Sequence, residues 1–440
     1  MASLISIILL LMQAIILAGG LGTRLGELSQ NTPKAMMLVG DKPVIEHQIE
    51  LFARYGIKEI ILIVNHLKEH IQAHIGNGSR WGVEVIYYEE KTPLGTVGGI
   101  KACEDHLHED FIVLYGDVML DMDVHRLINF HQDHGSDCTL VLHPNDHPHD
   151  SDLVELDKEN RVVAFHSKPR TADRYYQNMV NAGMYVMNRR VLSHLTYGTK
   201  ADFGKDVFPV ILNSLKLFGY NTSEYLKDMG TPDRLVKVNR DFADGKIQAR
   251  SWSHKQRAIF LDRDGVINID TDLIKTPDEL ELYPYAAEAV RRINDSGYLA
   301  IVITNQSVVA RNLCTESDLR LIHNKVDTIL GAENAKIDAL YYCPHHPHGG
   351  FPGENPAYKI ECHCRKPKPG MLLDAARDFN IDLSQSWFVG DTERDIVAGK
   401  AAGVKTIRVR VGRGGEPSAV APDFVKENLT EAVEFILSLS

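Results

Sequence analysis

Short β-branched runs, separated by amphipathic or loop-like stretches, recur along the chain in two series. A chain so patterned is driven toward layered α/β units rather than toward a helical bundle or a sandwich. In the first series Ala14–Leu17, Glu59–Val64, Val83–Tyr88, Phe111–Tyr115 and Thr139–Leu142 read as strands. The pattern restarts at Ala258–Leu261 and continues through Leu299–Ile303, Ala339–Tyr342, Ser386–Val389 and Thr406–Val409. Each series predicts a mostly parallel sheet with its own core. Between them Asp241 to Gln256 is polar, weakly patterned and contains Asp244-Gly245. The predicted organisation is therefore a domain over 12–244, a linker over 245–256 and a domain over 257–440. The length of 440 residues accommodates two or three cores at ~150 residues each.

Composition narrows the class of partner. A formal net charge of -11, from 59 acids against 48 bases, argues against nucleic-acid and anionic-membrane partners, both of which need a basic face. Small anionic substrates remain open, and a homo-oligomer is the one macromolecular partnership left open. Cys103, Cys138 and Cys314 are scattered and read as buried thiols, whereas Cys343, Cys362 and Cys364 crowd one histidine-rich segment. That spacing suggests a metal site in a reducing, cytoplasmic compartment. Met1 to Met12 is apolar but lacks the basic start and small-residue cleavage site of a signal peptide, and its first eleven residues are given no role.

The strand Ala14–Leu17 runs into Ala18-Gly19-Gly20-Leu21-Gly22-Thr23-Arg24-Leu25, with Pro33-Lys34 downstream. Glycines directly after a strand let backbone N–H groups approach phosphate oxygens, and Arg24 and Lys34 can neutralise the charge there. The spacing is neither that of the dinucleotide fingerprint nor that of a Walker loop. It resembles the signature of the sugar-1-phosphate nucleotidylyltransferases, and the likeness spans roughly residues 12–240. The resemblance implies a Rossmann-like, GT-A-like mixed sheet. It implies nucleotide contacts at Gly19, Gly20, Gly22 and Thr23, base contacts at Gly95 and Thr96 in Pro93-Leu94-Gly95-Thr96, and sugar-phosphate contacts at Lys168 and Asn181. Ser167 stands where that family usually has Glu before Lys-Pro. Asp117, in Tyr115-Gly116-Asp117, and Asp228, in Lys227-Asp228-Met229-Gly230-Thr231-Pro232, resemble the family's Mg²⁺ ligands. Such a pair suits transfer of a nucleotidyl group between two anions, with Arg24 and Lys34 as the catalytic cations.

In the second series the strand Ala258–Leu261 delivers Asp262-Arg263-Asp264-Gly265. Two aspartates two residues apart on an extended tip can act as nucleophile and proton carrier. Thr304-Asn305-Gln306-Ser307, Arg365-Lys366-Pro367 and Gly390-Asp391-Thr392-Glu393-Arg394-Asp395 follow, supplying donors, cations and carboxylates. The set resembles the haloacid-dehalogenase-like (HAD-like) phosphatases over roughly residues 255–440. The resemblance implies a Rossmannoid domain with Asp262 as nucleophile and Asp264 as general acid/base. Thr304, Asn305, Arg365 and Lys366 would bind substrate, with Mg²⁺ on Asp262, Asp264 and Asp391, and Asp395 in a supporting role.

Cys343-Pro344-His345-His346-Pro347 and Cys362-His363-Cys364 offer thiolates and imidazoles suited to tetrahedral, structural Zn²⁺. His345, His346, His348 and His363 compete for the fourth position. His345 is preferred, beside Cys343, Cys362 and Cys364, because the arrangement resembles the zinc loop of heptose bisphosphate and histidinol-phosphate phosphatases. His66, His70 and His74 read as one solvated helical face, and His143, His147 and His149 as a surface loop.

Together the two resemblances imply consecutive steps on small-molecule substrates, heptose phosphates and GTP. D-glycero-α-D-manno-heptose 1,7-bisphosphate would lose its 7-phosphate, and the 1-phosphate would then be joined to GMP. Mannose- or glucose-type sugars with an unrelated phosphatase substrate, or one catalytically silent regulatory half, are the alternatives.

Overall fold

The computed structural model describes residues 12–20, 22–171, 174–350 and 352–439. The extension before Met12, and Leu21 of the glycine turn, lie outside these residues. The chain divides into two compact units, one of 1–143, 154–167 and 180–253, the other of 144–153, 168–179 and 254–440.

In the first unit β1 (Gln13–Leu17), α1 (Val44–Arg54), β2 (Glu59–Val64), β3 (Glu84–Glu89), β4 (Asp110–Tyr115), β5 (Val118–Asp121), α2 (Val124–Asp133) and β6 (Cys138–His143) follow the sequence pattern closely. After them come β7 (Leu153–Leu156), β8 (Val162–His166), β9 (Val180–Asn188), β10 (Leu217–Asn221), β11 (Tyr225–Asp228) and α3 (Pro232–Ala243). The main sheet runs β8-β7-β9-β4-β1-β2-β3, with β6 pairing β9 and β10. The β1–β2, β1–β4 and β2–β3 pairs are parallel, whereas β9 enters antiparallel to both β4 and β6. The sheet is therefore mixed. Leu17 lies level with Ile63 and with Tyr115, so the ends of three strands open at one edge, where an α/β sheet places its ligand. A separate ribbon pairs β5 with β11 and sets Asp228 opposite Val118.

The stretch expected as a linker is more ordered than its weak patterning implies. Lys246–Ala249 is a helical turn with Ile247 buried, and the Trp252 N–H donates to Glu224 at 3.0 Å.

The second unit holds β12 (Arg257–Leu261), α4 (Ala286–Asp295), β13 (Tyr298–Asn305), α5 (Glu316–Ala332), β14 (Ala339–Cys343), α6 (Gly370–Asp378), β15 (Trp387–Gly390), α7 (Glu393–Ala402), β16 (Lys405–Val409), β17 (Phe424–Lys426) and α8 (Leu429–Ser438). Its strands are parallel in the order β14-β13-β12-β15-β16-β17. Because both faces of such a sheet are covered, the strands read as continuous apolar runs: Ala258 to Leu261 and Leu299 to Ile303 are buried throughout. Helix starts follow from caps. Thr315 and Asp318 form a capping box at α5, and Thr392 with Asp395 forms another at α7, which fixes Asp395 at the sheet's edge.

No described helix is long and apolar enough to cross a membrane. Of the three histidines read as one solvated face, His66 and His70 are exposed, though His66 precedes the helix, and His74 is partly buried and reaches Glu46 of α1 at 2.7 Å. Cys103 and Cys138 are buried as expected, while Cys314 is only partly so.

Candidate active sites

The first site is a cleft of about 380 Å³ at the ends of β1, β2 and β4. Gly19, Gly20, Gly22, Thr23, Lys34, Gly95, Thr96 and Asp117 all line it, so most residues expected to meet a nucleotide converge. Two of the glycines are required by shape. Gly22 has φ +65°, and a Cβ there would stand 2.9 Å from the Ser29 Cβ; Gly95 has φ +78°, and a Cβ would stand 2.2 Å from the Ala201 carbonyl oxygen. That carbonyl accepts from the Thr96 N–H at 3.1 Å, and so holds the loop.

Asp117 leaves β4 beside the ribbon, and its carbonyl accepts from the Met229 N–H at 2.8 Å, lacing the segment of Asp117 to that of Asp228. The Lys34 ammonium is ion-paired with the Asp117 carboxylate. Arg234, in the first turn of α3, donates from one nitrogen to both oxygens of Asp228 at 2.8 and 2.9 Å. Arg24 belongs to the same cluster. A Cβ placed on Gly230 would sit 2.9 Å from an Arg24 nitrogen and 2.8 Å from Asp228 Oδ1. Asp117 and Asp228 are hard oxygen donors of the kind Mg²⁺ prefers, and each is engaged by a side-chain cation that a metal would have to displace.

Lys168 and Asn181 are not among the residues lining the cleft. Lys168 pairs with Asp150 at 2.6 Å, while Asn181 accepts from the Gly183 N–H at 3.2 Å. Glu90 and Lys200 line the cleft and were missed. Burial pushes the Glu90 carboxyl up, against a hydrogen bond from the Leu94 N–H. A glutamate at a strand end just before the Pro93 loop was the available signal. Lys200, in a polar loop, gave none.

The second site is a cavity of about 200 Å³ lined by Asp262, Asp264, Thr304, Asn305, Arg365, Lys366, Asp391 and Asp395. The Lys366 ammonium, buried, lies 2.9 Å from Asp262 Oδ1 and 2.7 Å from Asp395 Oδ1 and donates to the Ile303 carbonyl at 2.9 Å. Its backbone is held by Asn305, whose amide both donates to the Lys366 carbonyl and accepts its N–H at 3.0 Å.

Burial drives the Asp262 carboxyl well above its usual range, with Lys366 opposing and Asp395 adding to the rise. Burial also lifts Asp391, to about 7. Burial acts against the Asp395 carboxylate too, but Lys366 and Thr392 outweigh it and hold the group low. Asp391 Oδ1 is buried without a hydrogen-bond partner, and oxygens of Asp262, Asp391 and Asp395 lie within 4.8 Å of one another. So much crowded negative charge fits a hard divalent cation.

Asp264, expected among the Mg²⁺ ligands, is not in that carboxylate cluster. Its oxygens accept from the buried Arg263 guanidinium at 2.9 to 3.1 Å, from Asn268 at 3.0 Å and from Gln306 at 2.7 Å. Those donors hold the Asp264 side chain, which lines the cavity, while Asp395 is the third carboxylate of the cluster.

Cys343, His345, Cys362 and Cys364 converge, with Sγ–Sγ separations of 3.3 and 3.5 Å and His345 Nδ1 at 3.5 and 3.7 Å from two sulfurs. Tetrahedral zinc with ~2.3 Å Zn–S bonds has S–S edges of roughly 3.8 Å, so the donor set fits. Of the competing histidines, His346 is engaged with the His348 carbonyl and His363 with Asp374, and neither these two nor His348 belongs to the donor cluster.

Residues 13–245 match the nucleotidyl transferase family model, and residues 363–432 match a HAD-hydrolase-like model. Over 177 residues the chain is 40% identical to a D-glycero-beta-D-manno-heptose-1,7-bisphosphate 7-phosphatase of Rhodopseudomonas palustris, covering 40% of this chain and 92% of that one. The chain belongs to the nucleotidyl transferase family and, over its second half, to the heptose bisphosphate phosphatases. It is an enzyme with a nucleotidyltransferase half and a HAD-like phosphatase half.

The nucleotidyltransferase half is 34% identical over 235 residues to a mannose-1-phosphate guanylyltransferase of Mycobacterium tuberculosis, covering 53% of this chain and 65% of that protein. It is also similar to the crystal structure of HddC from Yersinia pseudotuberculosis complexed with GMP-PN, at 26% identity and a TM-score of 0.46, covering 52% of this chain and 99% of that one.

Proposed function

We propose that this chain carries out two consecutive steps of heptose activation. It removes the 7-phosphate of D-glycero-α-D-manno-heptose 1,7-bisphosphate and then transfers GMP from GTP to the heptose 1-phosphate, giving GDP-heptose and pyrophosphate. The observation that carries the reading is that one chain holds both a phosphatase half 40% identical to a heptose bisphosphate 7-phosphatase and a cleft assembled from nucleotidyl transferase residues.

In the phosphatase half Asp262 attacks the phosphorus, with Lys366 and Thr304 on the phosphoryl oxygens. Asp264 gives its proton to the leaving sugar oxygen and later takes one from the water that frees phosphate. In the transferase half the sugar phosphate attacks the α-phosphorus of GTP and pyrophosphate leaves, while Lys34 and Arg24 offset the spreading charge. Mg²⁺ on Asp117 with Asp228, and on Asp262 with Asp391, would neutralise phosphate charge in the two sites.

The deciding assay gives the purified protein heptose 1,7-bisphosphate, as either anomer, with each nucleoside triphosphate in turn, and follows phosphate and pyrophosphate. Both should appear with GTP. Because the first half resembles a mannose-1-phosphate guanylyltransferase, mannose 1-phosphate is run in parallel. Faster pyrophosphate release from it would make mannose the sugar.

Phosphate should also precede pyrophosphate. The bisphosphate would carry roughly two extra negative charges into a cleft where Lys34 is already ion-paired and Lys200 is the other lining lysine, too little to offset their desolvation. An Asp262→Asn protein given bisphosphate and GTP should therefore stall; a 7-phosphorylated nucleotide sugar made at the normal rate would refute the ordered pair of steps.

Zinc on Cys343, His345, Cys362 and Cys364 would brace the loop that leads into Arg365 and Lys366. Elemental analysis should find about one zinc per chain, and close to none in Cys362→Ser, with phosphate release falling roughly 10- to 100-fold.

A further inference from the structure

Arg234 is a residue that neither resemblance accounts for, yet it sits on the carboxylate assigned to the transferase metal. Its guanidinium reaches both oxygens of Asp228 at 2.8 and 2.9 Å, it is only 15% exposed, and α3 holds it in place through the Thr231 cap and Pro232 at the first helical position. The Gly230 N–H donates to Asp228 Oδ1 at 3.0 Å as well. Across the ribbon the Lys34 ammonium lies on the Asp117 carboxylate. Both carboxylates that would take a cation are thus already engaged by side-chain cations.

We infer that Arg234 is a positioning residue that guards Asp228 and makes metal binding wait for the nucleotide. A divalent cation arriving alone would have to displace the guanidinium and leave it partly buried beside an approaching positive ion, which is costly. A cation arriving with a triphosphate brings oxygen acceptors to which Arg234 can turn, so the ion pair is exchanged for another of similar geometry. Metal and nucleotide then bind with positive linkage, and each raises the other's affinity by the same factor. The inference rests on the transferase reading of this cleft.

The alternative role is support: Arg234 would only hold Asp228 in the right rotamer for the metal. The two roles predict opposite signs for metal binding without nucleotide. The test measures Mn²⁺ binding to the full chain by the loss of the free-ion electron paramagnetic resonance signal, in an Asp391→Asn background that weakens the phosphatase site. It is run with and without a non-hydrolysable GTP analogue.

Guarding predicts that Arg234→Gln binds Mn²⁺ alone roughly tenfold more tightly than the parent and that the analogue enhances binding roughly tenfold less, with Arg234→Lys between the two. An Asp228→Asn control should remove the gain. Weaker or unchanged Mn²⁺ binding in Arg234→Gln, with analogue still bound by the parent, would overturn guarding alone. Failure of the parent to bind the analogue at all would overturn the transferase reading and this inference with it.

Discussion

Asp262→Asn should release phosphate at least about ten-thousandfold more slowly than the unaltered chain, while pyrophosphate release from pre-made heptose 1-phosphate and GTP continues at its usual rate. An amide of the same shape cannot form the acyl phosphate, and because Asp262 is buried at the end of β12 the change removes a charge without opening a cavity. Transfer should persist because the cleft residues lie in the other compact unit, with a separate core. The measurement follows both products in one reaction, with circular dichroism to verify folding. Loss of both activities in a folded Asp262→Asn protein would sink the two-site account.

The reciprocal substitution, Asp117→Asn, is expected to slow pyrophosphate release on the order of a thousandfold, or roughly 4 kcal/mol, with phosphate release intact. Two losses combine. One of the two hard oxygen donors proposed for the metal would become a neutral amide, and the Lys34 ammonium would lose the carboxylate with which it is paired. The Asp117 carbonyl still accepts the Met229 N–H, so the ribbon is kept and the effect belongs to the side chain. Raising Mg²⁺ should recover part of the rate if metal affinity is the main loss. A rate within tenfold of the unaltered chain would show that Asp117 does not hold the catalytic metal.

The strands that end in chemistry were legible because a covered parallel strand must be apolar throughout, and the abrupt change to Gly or Asp after Ala18, Tyr115, Leu261 and Val389 marks the sheet's edge. β9 was not legible as a strand: Val180 to Asn188 mixes Asn, Ala, Gly and Met, and its antiparallel place between β4 and β6 is set by partners distant in sequence.

The same division holds within the sites. The three clustered thiols could be named because they crowd one segment, whereas His345 was picked out among four histidines only by the resemblance to a zinc loop. Which aspartates share the phosphatase cluster could not, since Arg263, Asn268 and Gln306 decide which way Asp264 turns. Lys168 likewise shows no sign in sequence of its pairing with Asp150, and Arg234 none of its hold on Asp228.

The ribbon of β5 and β11 has a bearing on how the protein is made. Asp117 and Asp228 are far apart in sequence, and the hydrogen bond from Met229 to Asp117 is among the last contacts of the first unit that synthesis can supply. A nascent chain still short of residue 228 can form β1, β2 and β4 and present the glycine turn, but it lacks half of the carboxylate pair and the helix that bears Arg234. On the proposed transferase reading, capture of nucleotide with metal would therefore wait until the first unit is nearly complete, and a product truncated earlier is expected not to sequester Mg·GTP.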